Sequence, residues 1–393
     1  MSVTSAFELV YDRLDQVRRL GLERHLRHHD AVRGTRVKLG DRWLVNFSSN
    51  DYLGLAQHPN LTAAAIAAVS QHGTGSGASR LVTGSSHLHQ QLETAIAAWK
   101  RTDTAIAFNS GYQANQGVLV GLSKGGDRLF YDSLVHASLR DGITLSRASA
   151  HAFPHNDAIA LEKLLTTQTC SGLRLIVTES VFSMDGDLAP LETLLALAER
   201  HDCLLVVDEA HGVGVFGPHG AGVCAHLGLK SPRLIQVGTC GKALGSFGAY
   251  VACCDPIAQL LRNRARSFIY TTALPPAAIA ATHAAIELLQ ADPKPQQQLW
   301  HNRAYLQSLL GLDLSSQICP LIVGNARDAI EMSARLLQEG FWVQAIRPPT
   351  VPQGTARLRL SLSAAHTETE IEALAETIAS QPTLISSSQK ANC

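Results

Sequence analysis

Between residues 104 and 253 short apolar runs recur, separated by stretches whose apolar positions fall three and four apart. Seven runs predict strands: Thr104 to Phe108, Arg128 to Tyr131, Ser149 to Phe153, Leu173 to Thr178, Cys203 to Val207, Leu234 to Gly238 and Ala249 to Cys253. Several are uninterrupted, LLVV above all, as in strands covered on both faces. The clearest intervening helix is PLETLLALAERH, where Pro190 suits the first turn and Leu191, Leu194, Leu195 and Ala198 share one face. Strand, helix, strand at this spacing predicts an α/β fold with a largely parallel sheet between helical layers.

The pattern changes after residue 276. Two long helical stretches, Pro276 to Gln290 and Pro295 to Leu310, precede the short strands ICPLIVG, FWVQAI and ARLRLSL and an amphipathic helix near Thr369 to Ile378. A smaller C-terminal α+β domain is expected. The domain reading is a helical and extended segment over 1–48, a large α/β domain over 49–276, the α+β domain over 277–385 and a frayed tail over 386–393. In ARLRLSL, alternation puts Arg357, Arg359 and Ser361 on one face and Leu358, Leu360 and Leu362 on the other. One face could meet a carboxylate; the plain alternative is an edge strand with surface arginines.

Composition and charge remove several classes of function. With 46% hydrophobic and 17% charged residues, disordered and coiled-coil readings fail. Lys plus Arg equals Asp plus Glu at 33 each, so no net field draws nucleic acid or an anionic membrane, and neither is expected as a partner. Apolar stretches such as Ala63 to Val69 fall far short of the roughly 18 to 20 residues that span a bilayer. The N-terminus mixes acidic with apolar residues, unlike a secretory signal, and the eight cysteines include no C-x-x-C. Reduced thiols and a cytoplasmic location are expected. A metal site is not expected: there is no H-E-x-x-H, and Pro154 between His151 and His155 spoils a helical pair.

In an open parallel sheet, functional groups gather at the carboxyl ends of the strands. The residues there are polar: Asn109-Ser110-Gly111-Tyr112, Asp132, Glu179-Ser180, Asp208-Glu209-Ala210-His211 and Thr239-Cys240-Gly241-Lys242. A buried strand end bearing Asp is costly unless a cation or donor meets it, and Lys242 and His211 are plausible company. Singly, Asp208 could be a helix cap, His211 a loop histidine and Lys242 a surface lysine. Their coincidence at strand ends is what argues for a site. DEAH at 208–211 suggests a helicase, but no G-x-x-x-x-G-K-[ST] exists, since GTCGKA lacks the first glycine and the final hydroxyl. The glycines of HGTGSGASR do not make G-x-G-x-x-G, and they follow a helical stretch rather than a strand.

A lysine after a short T-x-G turn, with D-x-x-H at the end of an earlier parallel strand, resembles the fold type I (aspartate-aminotransferase-like) pyridoxal 5'-phosphate enzymes. The resemblance narrows at SSNDYLGL, GTGSGASRLVTGSSHLHQQLE, FNSGYQANQG, DSLVHASL, TESVFSMDGDLAPL and DEAHGVGVFG. These segments are similar to the α-oxoamine synthases, which condense an amino acid with an acyl thioester and lose carbon dioxide. The likeness covers roughly residues 20 to 380. It implies a seven-stranded, mostly parallel sheet, pyridoxal 5'-phosphate as cofactor and a homodimer with shared sites. By the same resemblance Lys242 would hold the cofactor and later take the α-proton. Asp208 would pair with the ring nitrogen, His211 and Ser183 would meet the ring hydroxyl, and His136 would stack on the ring. Gly111 and Tyr112, at a helix N-terminus that favours anions, would bind the phosphate with Thr239, and Thr272 would reach the partner's phosphate. Glu179 precedes the loop that contacts the ring. Arg24, Asn50, Thr350 and Arg359 would bind substrate, Arg359 through the amino acid's carboxylate.

Within the family, AIRPPTVPQGTARLRLSLSAAH and NFSSNDYLGL most resemble the branch that joins L-alanine to a pimeloyl thioester, of CoA or of a carrier protein, in biotin synthesis. The alternatives are the 2-amino-3-ketobutyrate CoA ligase, 5-aminolevulinate synthase and serine palmitoyltransferase branches, which use glycine or serine. Two departures stand out: Ala243-Leu244-Gly245-Ser246-Phe247 replaces a glycine-rich segment, and Glu209 stands where some members have a second aspartate. A non-catalytic binding subunit of the same fold would be expected to lose Lys242 or its partners. A plain aminotransferase would release pyridoxamine phosphate rather than a thiol.

Overall fold

The computed structural model describes residues 5–380; the expected frayed tail lies outside them. After an exposed helix, Ala6–Arg19, the chain forms three short antiparallel strands, β1 (Ala31–Arg33), β2 (Arg36–Leu39) and β3 (Arg42–Asn46). Hydrophobic periodicity did not resolve these strands, because each is only three to five residues long. Their signal is instead the paired turns at Gly34-Thr35 and Gly40-Asp41, whose glycines sit at φ 56° and 60°.

The central sheet comprises β4 (Thr104–Phe108), β5 (Arg128–Asp132), β6 (Ser149–Phe153), β7 (Arg174–Glu179), β8 (Leu204–Asp208), β9 (Leu234–Thr239) and β10 (Ala249–Cys253), in the order β4-β10-β9-β8-β7-β5-β6. All neighbours run parallel except β10, which is antiparallel to both β4 and β9. The predicted mostly parallel seven-stranded sheet is therefore present. Strand alternation divides the core between its two faces: Ala105, Ala107, Ile176, Leu205 and Val207 join one apolar cluster, and Ile106, Phe108, Leu175, Val177 and Val206 join the other. The helix Leu191–Arg200 buries Leu191, Leu194, Leu195 and Ala198, as its periodicity predicts.

The C-terminal part carries β11 (Ile318–Gly324), β12 (Phe341–Trp342), β13 (Gln344–Ile346) and β14 (Ala356–Ser361). Strand β12 pairs in parallel with β3, which binds the N-terminal meander to this part of the molecule. β14 lies between β11 and β13 and is buried along its whole length, so Arg357 and Arg359 are not edge-strand surface residues. Each guanidinium finds partners inside: Arg357 meets Asp185, and Arg359 donates through Nε to the Ser183 carbonyl at 2.5 Å.

Asp132, a strand-end carboxylate, does not reach the other strand-end groups. It accepts from the amides of Leu134 and Asn156 and from His155 Nδ1 at 3.0 Å, while His155 Nε2 bonds Asp187 at 2.8 Å. Burial opposes charge on His155, but the two carboxylates outweigh it and push the imidazole up to about 10. Because this lies above the unfolded value, the stabilisation is complete below about pH 6.5 and is lost as pH rises through about 10. Replacing His155 with Asn should therefore lower the denaturant midpoint most near pH 6, with the gap from the parent chain closing by about pH 10. A gap of constant size across that range would show that the charge contributes nothing.

Candidate active site

The ends of β7, β8 and β9 and the helix Gly111–Leu122 enclose a cavity of about 190 Å³ lined by Gly111, Tyr112, Asn115, His136, Ser138, Glu179, Asp208, Ala210, His211, Thr239 and Lys242. Eight of the residues singled out from sequence meet here: Gly111, Tyr112, His136, Glu179, Asp208, His211, Thr239 and Lys242. Strand register explains part of this, since Glu179 and Asp208 are direct partners on adjacent parallel strands.

Two neighbours fix the Asp208 carboxylate. Asn115 Nδ2 donates to Oδ2 at 2.7 Å and the Ala210 amide to Oδ1 at 2.9 Å. Asn115 also donates to Ser138 Oγ at 2.9 Å, and its own Oδ1 is buried without a hydrogen-bond partner. Sequence reading passed over Asn115, although it stands four residues after Gly111 on the same helix, one turn into the site. Glu179 accepts the His136 amide at 2.6 Å and so sets the start of the helix Ala137–Ser146, which His136 caps by accepting the Ser138 amide through Nδ1. Burial first, then the adjacent Asp208, pushes Glu179 up to about 8.

Lys242 is brought down to about 8, chiefly by burial, against the pull of Asp208 and Glu179. Its Nζ lies 2.8 Å from His211 Nε2, and burial together with Lys242 and Arg359 holds His211 well below the usual imidazole range. Burial likewise lowers His136. The turn beyond Lys242 depends on Gly245, at φ 60°, where a Cβ would lie 2.4 Å from the Leu55 backbone. The sequence departure there retains the one glycine that this approach requires.

At the mouth of the cavity, Ser110 takes the Gln113 amide with its hydroxyl and the Ala114 amide with its carbonyl. The amides of Gly111 and Tyr112, which no earlier helical carbonyl can reach, are left for an anion. The Tyr112 phenol is turned to Asp141, which raises its pKa, and its ring meets His136 edge-on at 6.5 Å. Thr239 Oγ1 donates to the Gly248 carbonyl and accepts the Gly241 amide.

The other predicted residues lie outside this lining. Asn50, Ser183 and Arg359 form an adjoining group: Arg359 donates to the Ser183 carbonyl and to Asn50 Oδ1, the latter at 3.2 Å. Thr272 is exposed, its carbonyl held by Asn109 Nδ2 at 2.7 Å. Arg24 and Thr350 are also exposed and do not reach the cavity. The segments that carry them meet at Arg347, which donates to the Glu23 carbonyl at 2.7 Å and accepts the Thr350 amide at its own carbonyl.

A carboxylate fixed by two donors, a buried lysine with a depressed pKa, an imidazole beside it and a helix N-terminus for an anion match the needs of pyridoxal 5'-phosphate: ring nitrogen, carbonyl carbon, ring hydroxyl and phosphate. Comparison with known proteins agrees. Residues 42–378 match the model of the aminotransferase class I and II family. The chain is 49% identical to the 8-amino-7-oxononanoate synthase of Pelobacter propionicus over 94% of its length and 96% of that protein, and 49% identical to that of Geobacter sulfurreducens over 91% and 94%. Among solved structures, serine palmitoyltransferase from S. paucimobilis, with a bound PLP–myriocin adduct, superposes with a TM-score of 0.88 at 30% identity, covering 96% of this chain and 97% of that one. The 8-amino-7-oxononanoate synthase of Francisella tularensis superposes at 0.73 and 32%, covering 85% and 96%.

The fold is that of a fold type I pyridoxal phosphate enzyme. The chain belongs to the class I and II aminotransferase family and, within it, to the 8-amino-7-oxononanoate synthases, which are pyridoxal phosphate-dependent acyltransferases. The identities, not the superpositions, separate this branch from the palmitoyltransferases. No described helix is long and apolar enough to cross a membrane.

Proposed function

We propose that this enzyme joins L-alanine to a pimeloyl thioester, releasing carbon dioxide and the thiol, with the roles divided among its residues as follows. Lys242 holds the cofactor through Nζ and, once the amino acid has displaced it, takes the α-proton on the same atom. Bound pyridoxal phosphate supplies the electron sink for the pair left on the α-carbon. Asp208, held in place by Asn115 and the Ala210 amide, faces the ring nitrogen. His136 covers the ring, His211 and Ser183 serve the ring hydroxyl, and Gly111, Tyr112 and Thr239 hold the phosphate. Glu179 sets His136 through its amide. Arg359 and Asn50 receive the amino acid's carboxylate, and a hydrogen bond from His136 or His211 steadies the oxyanion that forms as the thioester carbonyl is attacked. Arg24 and Thr350, both exposed, meet the acyl substrate.

The observation that carries this reading is the convergence of Lys242, Asp208, His211 and His136 on one cavity, with Arg359 one hydrogen-bonded neighbour away. Thiol release from pimeloyl-CoA and from the pimeloyl carrier-protein thioester, with L-alanine or glycine, tests it. L-alanine should be preferred, and a preference for glycine would move the chain to another branch. Arg359→Lys should raise KM for L-alanine by about 10-fold to 100-fold, because an ammonium cannot reproduce the planar two-point grip on a carboxylate.

The proposal includes a cytoplasmic homodimer in which Thr272 reaches the partner's phosphate. Exposed apolar side chains beside it support this, Tyr270 being 70% and Val82 74% accessible in the single chain. Sedimentation of the purified enzyme should give twice the chain mass.

A further inference from the structure

Beyond β7 the chain doubles back as a narrow hairpin over 181–188. It is closed by the bridge between Val181 and Leu188, by the Phe182 amide on the Asp187 carbonyl at 3.0 Å and by the Gly186 amide on the Phe182 carbonyl at 2.8 Å. The tip of the hairpin reaches the C-terminal sheet. The Ser183 carbonyl accepts Arg359 Nε at 2.5 Å, the Met184 carbonyl accepts Arg357 Nη1 at 3.2 Å, and Asp185 pairs with the same Arg357 guanidinium. Gly186, at φ 74°, passes so close to β11 that a Cβ would lie 2.5 Å from the Ile318 carbonyl oxygen.

The hairpin is also fastened to the end of β5. His155 gives Nδ1–H to Asp132 and Nε2–H to Asp187, and only a ring carrying both protons can donate to two carboxylates at once. Asn156 adds a second hold, its Nδ2 donating to Asp187 Oδ2 at 2.8 Å and to the Leu188 carbonyl at 3.2 Å. The Phe182 ring packs edge-on against the imidazole, with centroids 4.3 Å apart. A path of hydrogen bonds and one peptide link therefore runs from Asp132 through His155, Asp187, Phe182 and Ser183 to Arg359. Asp132, His155, Asp187 and Phe182 themselves lie outside the cavity lining.

What such a path can deliver is direction. A planar guanidinium grips a carboxylate well only when its plane is aimed, and the carbonyl that takes Nε–H fixes how the plane is turned. We propose that His155 is a positioning residue for the amino acid's carboxylate: by pinning the hairpin through Asp187 it sets the Ser183 carbonyl, and through that carbonyl the plane in which Arg359 meets the substrate. This rests on the reading of Arg359 given above. Asp132 is the fixed end of the device, since it also takes the Leu134 and Asn156 amides and so cannot swing with the hairpin.

Two measurements near neutral pH test this: thiol release at saturating pyridoxal phosphate and thioester, and amide hydrogen exchange of the cofactor-free, full-length chain. In His155→Asn, KM for L-alanine should rise about tenfold with kcat changed less, because a misaimed guanidinium loses its grip on the substrate before and during reaction alike. The Phe182 and Gly186 amides should exchange about tenfold faster or more, while the Leu205 amide, bonded to the Arg233 carbonyl, keeps the parent rate. In an Arg359→Lys background the same substitution should raise KM by less than about twofold, since the group it aims is gone. Asp187→Ala, which leaves Asp132 to His155, should behave alike and takes the place of His155→Asn if that chain does not fold. Unchanged hairpin exchange overturns the proposal, and so does an unchanged KM once the hairpin amides have quickened. A KM effect that multiplies with that of Arg359→Lys overturns it too, because the hairpin would then act by another route. If Arg359→Lys alone leaves KM for L-alanine unchanged, the carboxylate reading of Arg359 fails and the proposal falls with it.

Discussion

Lys242→Ala lowers kcat by about 10⁴-fold or more, since it removes both the covalent anchor of the cofactor and the base that takes the α-proton. The structure explains why this lysine can do both. Burial strips water from the ammonium and brings Nζ down to about 8, so near neutral pH a useful fraction is the free amine. Asp208 and Glu179 limit the fall, and Arg359 adds to it. The linkage has a definite sign. A base whose folded pKa lies below its unfolded value of 10.5 costs stability in full below about pH 8, and the cost fades as pH rises toward 10.5. Alanine therefore removes a liability at neutral pH, and the variant should melt no lower than the parent. Retained stability with lost turnover separates chemistry from folding, whereas repeated turnovers by folded Lys242→Ala would sink the assignment. In the parent enzyme, the rate at which cofactor-free protein captures pyridoxal phosphate should climb through about pH 8.

Most of what positions this lysine is visible in the sequence, for a simple reason. A parallel sheet covered on both faces needs uninterrupted apolar strands, and a polar residue at the end of such a strand stands out. Asp208, His211, Thr239 and Lys242 were found that way. What the pattern could not show is how side chains meet after the chain folds. Tyr52 reads as an apolar member of SSNDYLGL, and only the packing of that loop against β14 aims its hydroxyl at His211. Asp132 was drawn from the same strand-end reasoning yet belongs to His155, because β5 lies beyond β7, two strands from β8, and its end opens toward the loop carrying Asp187. Arg357 and Arg359 alternate as a half-exposed strand would. They are buried because β14 is central between β11 and β13 and its arginine-bearing face is covered by the loop from Ser183 to Asp185 and by Asn50 and Tyr52, and nothing local to ARLRLSL encodes that.

Lys100→Met should cost about 3 to 5 kcal/mol of folding stability, as expected when one partner of a buried ion pair is removed. Lys100 ends the helix His87–Lys100, and its Nζ donates to both Glu209 and the Ala221 carbonyl; both side chains of the pair are wholly shielded from solvent. Glu209 follows Asp208 in the chain and so points to the other side of the strand end, away from the cavity. There it also accepts the Cys224 amide at 2.8 Å, and Gly222 is required at φ 105° because a Cβ would fall 2.5 Å from its Oε2. The glutamate that departs from the family pattern is thus spoken for by structure, and its extra methylene is what lets it reach Lys100. The double variant Lys100→Met/Glu209→Leu should recover part of the loss, since two apolar side chains leave no lone charge. The Cys224 amide and the Ala221 carbonyl would both lose their partners, at a cost of about 1 to 3 kcal/mol each. Denaturant unfolding of the parent, the two single variants and the double variant gives the coupling energy directly. Additive losses in that cycle would mean that the two charges do not depend on each other, and that the site beside them is held by packing alone.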